Sequence, residues 1–360
     1  MLGHIRIHLG IGLALFCTKT LAVNCTSPSI TSEADAETVR QGCNQISGNL
    51  TIGPFSQNAS SLYIDLDGIE TIQGSLLHES GLTDYDATEI PFSVSSTTLV
   101  EVGGDVQFGD WISGLTNLTL PNLGRVNGAF YMGVWSSNLT YLDITSLESV
   151  NSIWIGGRSL TTMHHTRLRN ASSITVDDAA LDSVDSLFNN PLNITGGAYI
   201  WDPLPNMNTV TIGFNSTNLL AVSSHVTVIF GGSNTTEMYL ETIEIDAGSA
   251  LERGSKVQTL KANSLQFSPG DNTTSLNVPF DDLQALGLRN GEKYEKFQTI
   301  RLPAQAVNYT GGFQLNIDEC PYLNLSSMYS VDDSSNQTWY WPTNISSIYI
   351  YNADVSNSFL

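Results

Sequence analysis

The sequence predicts an all-β fold, a right-handed parallel β-helix (a solenoid) closed at its N-terminal end by a short capping helix. Three observations carry that prediction. A motif of apolar, x, Gly, x, apolar recurs through the 360 residues at a spacing in the twenties. Within the repeats, apolar and polar residues alternate with period 2, as a strand with one buried face requires. No repeat holds ten residues of helical pattern. A unit of this length cannot bury its own apolar face, so it must stack on its neighbours.

The helix is the first element. Ser32 can cap it, Asp35 stands three residues on, and Glu33, Asp35 and Glu37 suit its positive end. It runs to Gln41 and Gly42 stops it. Cys25 and Cys43 flank it, and a bridge between them would close a loop worth about 3 kcal/mol of chain entropy. Residues 23–45 then form a disulfide-clamped cap over the first rung. Three scattered cysteines lack zinc spacing, and Cys320 is left as a buried thiol, an intermolecular bond or a partner of further sequence.

The solenoid repeats occupy 46–280. Ile46-Ser47-Gly48-Asn49-Leu50-Thr51-Ile52 returns in form around Gly74, Gly104, Gly128 and Ser152, then around Gly196 and Gly311. A second strand precedes each Gly strand: Leu115-x-x-Leu118-x-Leu120-x-x-Leu123-x-x-Val126 and Leu139-x-x-Leu142-x-Ile144-x-x-Leu147-x-x-Val150 share one template, and Ile64 to Ile72 fits it. The template is leucine-rich-repeat-like, yet Ile69, Leu123 and Leu147 stand where that pattern places its turn Asn. A coil made almost wholly of strands fits better than a horseshoe. Glycine pairs recurring with the period read as corners that exploit the missing Cβ, not as phosphate cradles. Asp281-Asp282-Leu283-x-x-Leu286-Gly287 suggests a helical connector over 281–299, with C-terminal rungs over 300–360.

Composition sets the setting. Lys plus Arg number 14 against 35 Asp plus Glu, a net charge of −21, and charged residues are only 14% of the chain. So acidic a chain lacks the basic clusters that nucleic acid or an anionic membrane needs. Its polarity comes from Ser, Thr and Asn instead. A weakly basic start (His4, Arg6, His8), an apolar run from Leu9 to Phe16 and Thr20-Leu21-Ala22 read as a signal peptide over 1–22, too short to span a bilayer. Cys17 would be lost with it.

Fourteen N-x-Ser/Thr sequons agree with a secretory, extracellular address: Asn24, Asn49, Asn58, Asn117, Asn138, Asn170, Asn193, Asn215, Asn234, Asn272, Asn308, Asn324, Asn336 and Asn344. With 29 Asn and 75 Ser plus Thr in the chain, chance supplies about six. In those at Asn49, Asn117, Asn138, Asn193 and Asn344 the middle residue is apolar, so a strand points Asn and the hydroxyl outward and the Leu or Ile inward. Sugars on outer faces also block edge-to-edge pairing of strands.

Cys25, the helix, Cys43 and the Ile46 to Ile52 rung with its L-x-L and I-x-G-x-L-x-I successors resemble the fungal GPI-anchored cell-wall-organisation glycoproteins, whose repeats are similar to receptor L domains. The resemblance spans about residues 24–320. It implies a receptor L-domain-like solenoid and a non-catalytic glycoprotein, secreted or on the cell surface, that supports wall integrity. Partners would be wall glucan, chitin or wall proteins. No cofactor is implied, and a membrane only through a GPI anchor. The chain departs from the pattern at its end: Ile345 to Leu360 contains Asn352, Asp354 and Asn357 and holds no GPI signal. Either the protein is released or an exon is missing.

β-Helices also include polysaccharide lyases and hydrolases, the alternative reading beside a receptor-like ligand-binding ectodomain. Glycoside hydrolysis needs two opposed carboxylates. Asp177-Asp178 with His164, His165 and Arg167 is the one cluster to weigh. It lacks flanking Gly and a further Asp, Arg169 runs straight into the Asn170 sequon, and an exposed turn explains it better. Asp281-Asp282 reads as a helix start and Asp332-Asp333 as a loop. No catalytic residue and no metal ligand is assigned. Among aromatics, Trp339, Tyr340, Trp341, Tyr349 and Tyr351 offer a carbohydrate platform, although capping of the last rung, with Ile348 and Ile350 inward, is the simpler role. Trp111, Trp135, Trp154 and Trp201 read as core or corner packing.

Overall fold

The computed structural model describes residues 24–56, 60–80, 89–108, 114–133, 138–165, 167–188, 193–201, 207–214, 218–223, 225–232, 234–248, 250–289, 297–302, 313–320, 323, 328–330 and 345–351. Residues 1–23, Trp111, Trp135, Asp332-Asp333 and the Trp339 to Trp341 run lie outside these. The chain is a parallel β-solenoid, nearly all strand with very few helices. Among the described residues no helix is long and apolar enough to cross a membrane.

Each turn of the N-terminal half contributes one strand to a side sheet and, past a corner, strand to a long sheet. The side sheet stacks Leu62–Asp65, Phe92–Ser95, Leu115–Thr119, Tyr141–Asp143 and Thr162–His164. The long sheet continues from Ser29–Ile30 through Arg125–Met132, Ser149–Gly156 and Ser173–Asp177 to Ile345–Tyr351. Two shorter sheets take over the side position further on, one from Thr209–Ile212 and one from Ser275–Asn277.

The cap forms as its residues dictate. The helix Glu33–Gly42 is capped by Ser32, whose hydroxyl accepts the Asp35 amide, while the Asp35 carboxylate accepts from Thr31 and Ser32. These bonds, the Thr31 hydroxyl first, hold the Asp35 carboxyl below the usual range. Ala36 and Val39 are the buried face. Cys25 and Cys43 are bridged with their Cα atoms 5.7 Å apart, fastening the helix to the first rung. Cys320 is a buried thiol whose Sγ donates to the Asp318 carbonyl.

One expectation fails at 281–299. Asp282–Leu288 is a strand, paired on one side with Thr259–Pro269 and on the other with Phe313–Asp318. Asp281 is no helix start: its carboxylate takes the Arg253 guanidinium at 2.6 Å and the Leu260 amide at 2.9 Å. The spacing Leu283, Leu286 mimics a helix, but here Leu283 and Leu286 are both buried because a corner between them resets the alternation. A short helix does occur at Asp185–Phe188, where Leu187 and Phe188 plug the interior.

One inward row shows how the core is built. Ile30, Ile52 and His78, then Phe108, Met132, Ile155, Val176, Ile200, Val222, Ile245, Phe267, Leu288, Ile317 and Ile350, follow one another through register pairs of the long sheet, with the His78 and Phe108 rings stacked 6.2 Å apart between the two runs. All but the last are buried. Ile348 and Ile350 keep the expected inward register opposite Leu315 and Ile317. Ile348 is nonetheless 43% exposed, because its strand is paired on one side only among the described residues.

The glycine corners have a specific cause. The Asn49 amide donates to Ser27 Oγ, the Ser75 amide to Asn49 Oδ1, the Asp105 amide to Ser75 Oγ and the Ala129 amide to Asp105 Oδ1, at 3.2, 2.9, 2.9 and 2.8 Å. Each accepting side chain lies under the glycine of the next turn, at Gly48, Gly74, Gly104 and Gly128. A Cβ on any of them would fall well inside 3 Å of that oxygen. At Gly74 it would also strike the Gly48 backbone, which cannot swing aside. Gly74→Ala is therefore expected to destabilise the fold by about 2 kcal/mol or more. Gly287→Ala, whose new Cβ meets nothing nearer than 3.6 Å, is expected to stay within about 0.5 kcal/mol. Equal melting temperatures for the two variants would contradict this account.

Candidate functional site

The acid and histidine cluster of the catalytic reading does not assemble. Asp177 ends a strand of the long sheet and His164 ends a strand of the side sheet. Asp178 takes up a left-handed turn at φ 47° and is held by Arg158. His164 is exposed and rests against Tyr141, with ring centroids 5.4 Å apart. His165 is buried and its Nε2 accepts the Leu168 amide at 3.2 Å. Arg167 and Arg169 are exposed. The sequence neighbours point apart because a corner separates the two sheets. No group of three or more His, Cys, Asp or Glu suited to a metal occurs among the described residues.

A second titratable pair escaped sequence reasoning. His78 Nε2 and the Glu89 carboxylate meet at 3.0 Å with both side chains fully buried, and Glu89 Oε2 accepts the Gly114 amide at 3.0 Å. The imidazole lies among Phe55, Phe92 and Phe108, nearest Phe92 at 5.0 Å. The alternation of Leu76 and His78 was the available signal, since it sets His78 inward. The pair sits inside the coil, where Glu89 holds His78 Nε2 while His78 Nδ1 is buried without a hydrogen-bond partner.

Several sequon asparagines lie at the surface. Asn49, Asn138, Asn170, Asn234 and Asn272 are exposed and Asn117 is half-buried. The residues that follow Asn49, Asn117 and Asn138, namely Leu50, Leu118 and Leu139, are buried. Asn24 and Asn193 lie on strands, with Asn193 in register with Asn170. Asn58, Asn215, Asn308, Asn324, Asn336 and Asn344 fall outside the described residues.

The outer face of the long sheet carries the most distinctive surface. Tyr131, Trp154, Thr175 and Tyr199 are successive register partners pointing outward. Beside them runs a row of small residues, Ala129, Ser152, Ser173 and Gly197. The aromatic bank and the small floor enclose an open cleft of about 290 Å³. Trp201, 40% exposed, closes one side and meets Tyr199 edge to face at 5.3 Å. Tyr131 meets Trp154 in the same way at 5.4 Å. Gly197 matters here: a Cβ would collide with the Tyr199 ring, which lies over it. The Trp154 indole N–H is enclosed without an acceptor, as are Asn44 Oδ1, His78 Nδ1 and His165 Nδ1 without partners elsewhere in the coil.

Trp154 and Trp201 thus belong to an outward bank, not to core or corner packing. Inward places in this stretch are already filled by Phe130, Met132, Ile153 and Ile155. Tyr349 and Tyr351 are exposed at the far end of the long sheet. A second hollow of similar volume on the side sheet, around Tyr63 and Thr116, includes Glu33, whose carboxylate already accepts the Tyr63 amide. Comparison with family models, curated proteins and solved structures finds no match for this chain.

The buried histidine gives a measurable pH response. Burial pushes the His165 pKa below the ordinary 6.5, outweighing the Ser186 and Leu147 backbone groups that pull the other way. The unfolded chain then takes up a proton near pH 6.5 that the folded chain refuses. The stability from this group is complete above that pH and is lost as the pH falls. His165→Leu is expected to flatten the fall in melting temperature between about pH 7 and pH 5. An unchanged slope would show that another group sets it.

Proposed function

We propose that this chain is a non-catalytic, secreted or cell-surface glycoprotein of the fungal type that contributes to cell-wall organisation. It is a stiff solenoid that carries glycans on its outer faces and holds wall glucan, chitin or wall protein on a bare one. The observation that carries this reading is that sequon asparagines lie exposed directly beside buried core residues. Asn49, Asn138 and Asn170 are exposed while adjacent Leu50, Leu139 and Ala171 are buried. One alternation therefore serves sugar outside and core inside. The Cys25–Cys43 bridge suits an oxidising route. The resemblance of the N-terminal cysteine pair and rungs to wall-organisation glycoproteins supplies the cellular role. The hydrolase reading loses its support with the separation of His164 from Asp177.

Protein made in a glycosylating eukaryotic host is expected to run at a lower apparent mass after endoglycosidase treatment. It is also expected to release no new reducing ends or unsaturated products from pectins and glucans. Deleting the gene in its native host is expected to raise sensitivity to wall-binding dyes. Unchanged dye resistance together with normal wall sugar composition would defeat the proposal.

A further inference from the structure

We infer that the cleft over Thr175, between Trp154 and Tyr199, binds a neutral, extended polysaccharide chain running along the solenoid axis. The inference deepens the wall-surface reading and rests on it, because that reading supplies such a polymer. Four features of the cleft choose the occupant.

Charge comes first. The chain carries −21 overall, yet no Asp, Glu, Lys or Arg lines the cleft. An anionic ligand meets an unfavourable field and no cation; a cationic one finds no carboxylate in the cleft. An uncharged ligand is what remains.

Surface chemistry comes second. The aromatic bank offers flat, electron-rich faces, and the axial C–H face of a pyranose is the complementary surface, since its hydrogens are weakly positive. Ser152, Ser173 and Thr175 offer hydroxyls along the floor for the sugar's own hydroxyls. An aliphatic protein surface would leave those hydroxyls unsatisfied.

Repeat length comes third. Trp154 and Tyr199 stand two strands apart with Thr175 between them, a separation of ~9.6 Å at the usual strand spacing. The short Thr175 side chain leaves a gap at the middle level that one sugar ring fits. Tyr131 extends the bank by one more level, so a linear polymer meets an aromatic face at more than one sugar.

Sheet topology is the fourth. Ser173–Asp177 is paired on both sides. A peptide cannot bind here by adding a strand, because no edge is open.

The test titrates the full-length protein with laminari-, cello- and chito-oligosaccharides, reading tryptophan fluorescence and calorimetry, with polygalacturonate as the charged control. It is run on protein bearing its glycans and on protein stripped of them. Neutral oligosaccharides are expected to bind more tightly as they lengthen, and polygalacturonate is not. Trp154→Ala and Thr175→Trp are each expected to weaken binding by about tenfold or more, while Tyr63→Ala on the side sheet changes nothing. Trp154 is half-buried and its removal can cost stability. Thr175→Trp fills the gap from outside, so loss of binding at an unchanged melting temperature supports the site directly. The inference fails if no neutral oligosaccharide binds either preparation, if polygalacturonate binds equally well, or if Thr175→Trp binds like the parent. Binding that appears only after the protein's own glycans are removed also overturns it, and places one of those glycans in the cleft. Glycan content and dye sensitivity are read separately, so a failed titration in a chain that passes both rejects the cleft and leaves the wall role standing.

Discussion

Successive turns of this chain lie one strand spacing apart, ~4.8 Å, and at every corner the backbone must change direction without stranding its N–H groups. In the first turns a single device meets that demand. A Ser, Asn or Asp from one turn accepts the amide of the next, and a glycine leaves room for the accepting oxygen. Ser27, Asn49, Ser75 and Asp105 form the ladder; Gly48, Gly74, Gly104 and Gly128 make it possible. The flat sheets and filled interior depend on these corners being tight, since a looser bend would break the register of every later turn. Asn49, whose Oδ1 caps the corner, is also the asparagine of a sequon.

Between the corners, alternation does the rest of the sorting. On the long sheet the inward row is aliphatic, methionine or phenylalanine along the molecule, with one polar member, His78, hydrogen-bonded by Glu89. Taking either partner away would leave a buried polar group unsatisfied, which is dearer than an apolar pair in the same space. The outward row is less uniform, and there the surface gains character. It passes from Gln107 to Tyr131, Trp154, Thr175 and Tyr199, then to Ala221 and Glu244. A bank of aromatics bounded by small and polar residues is a local feature, so any ligand of this face is confined to a few rungs in the middle of the solenoid.

The same geometry places two sequon asparagines differently with respect to the aromatic bank. Exposed Asn138 belongs to the side of the coil beyond the corner from the aromatic bank, whereas Asn170 sits on the long sheet, one strand segment before Ser173. A sugar on Asn170 would therefore stand beside the cleft rather than across the solenoid from it.

The sequence by itself determined the class of fold, the capping helix with its disulfide, and the inward or outward sense of most repeat residues. Each of these follows from local rules: period 2, the Ser32 cap and the recurrence of glycine. Where a rule was local but ambiguous, it misled. Leu283 and Leu286 look helical by spacing, and only pairing with strands on both sides fixes them in a sheet. Tertiary structure alone decided what stands beside what. It set His164 and Asp177 on different sheets, brought Glu89 to His78 across eleven residues of chain, and stacked Tyr131, Trp154 and Tyr199 from turns more than twenty residues apart. The physical reason is that a solenoid makes its surface perpendicular to its sequence: neighbours along a strand diverge to opposite faces, while neighbours in space are one turn away. Register, which one residue of slip would invert, is what converts the repeat into a site.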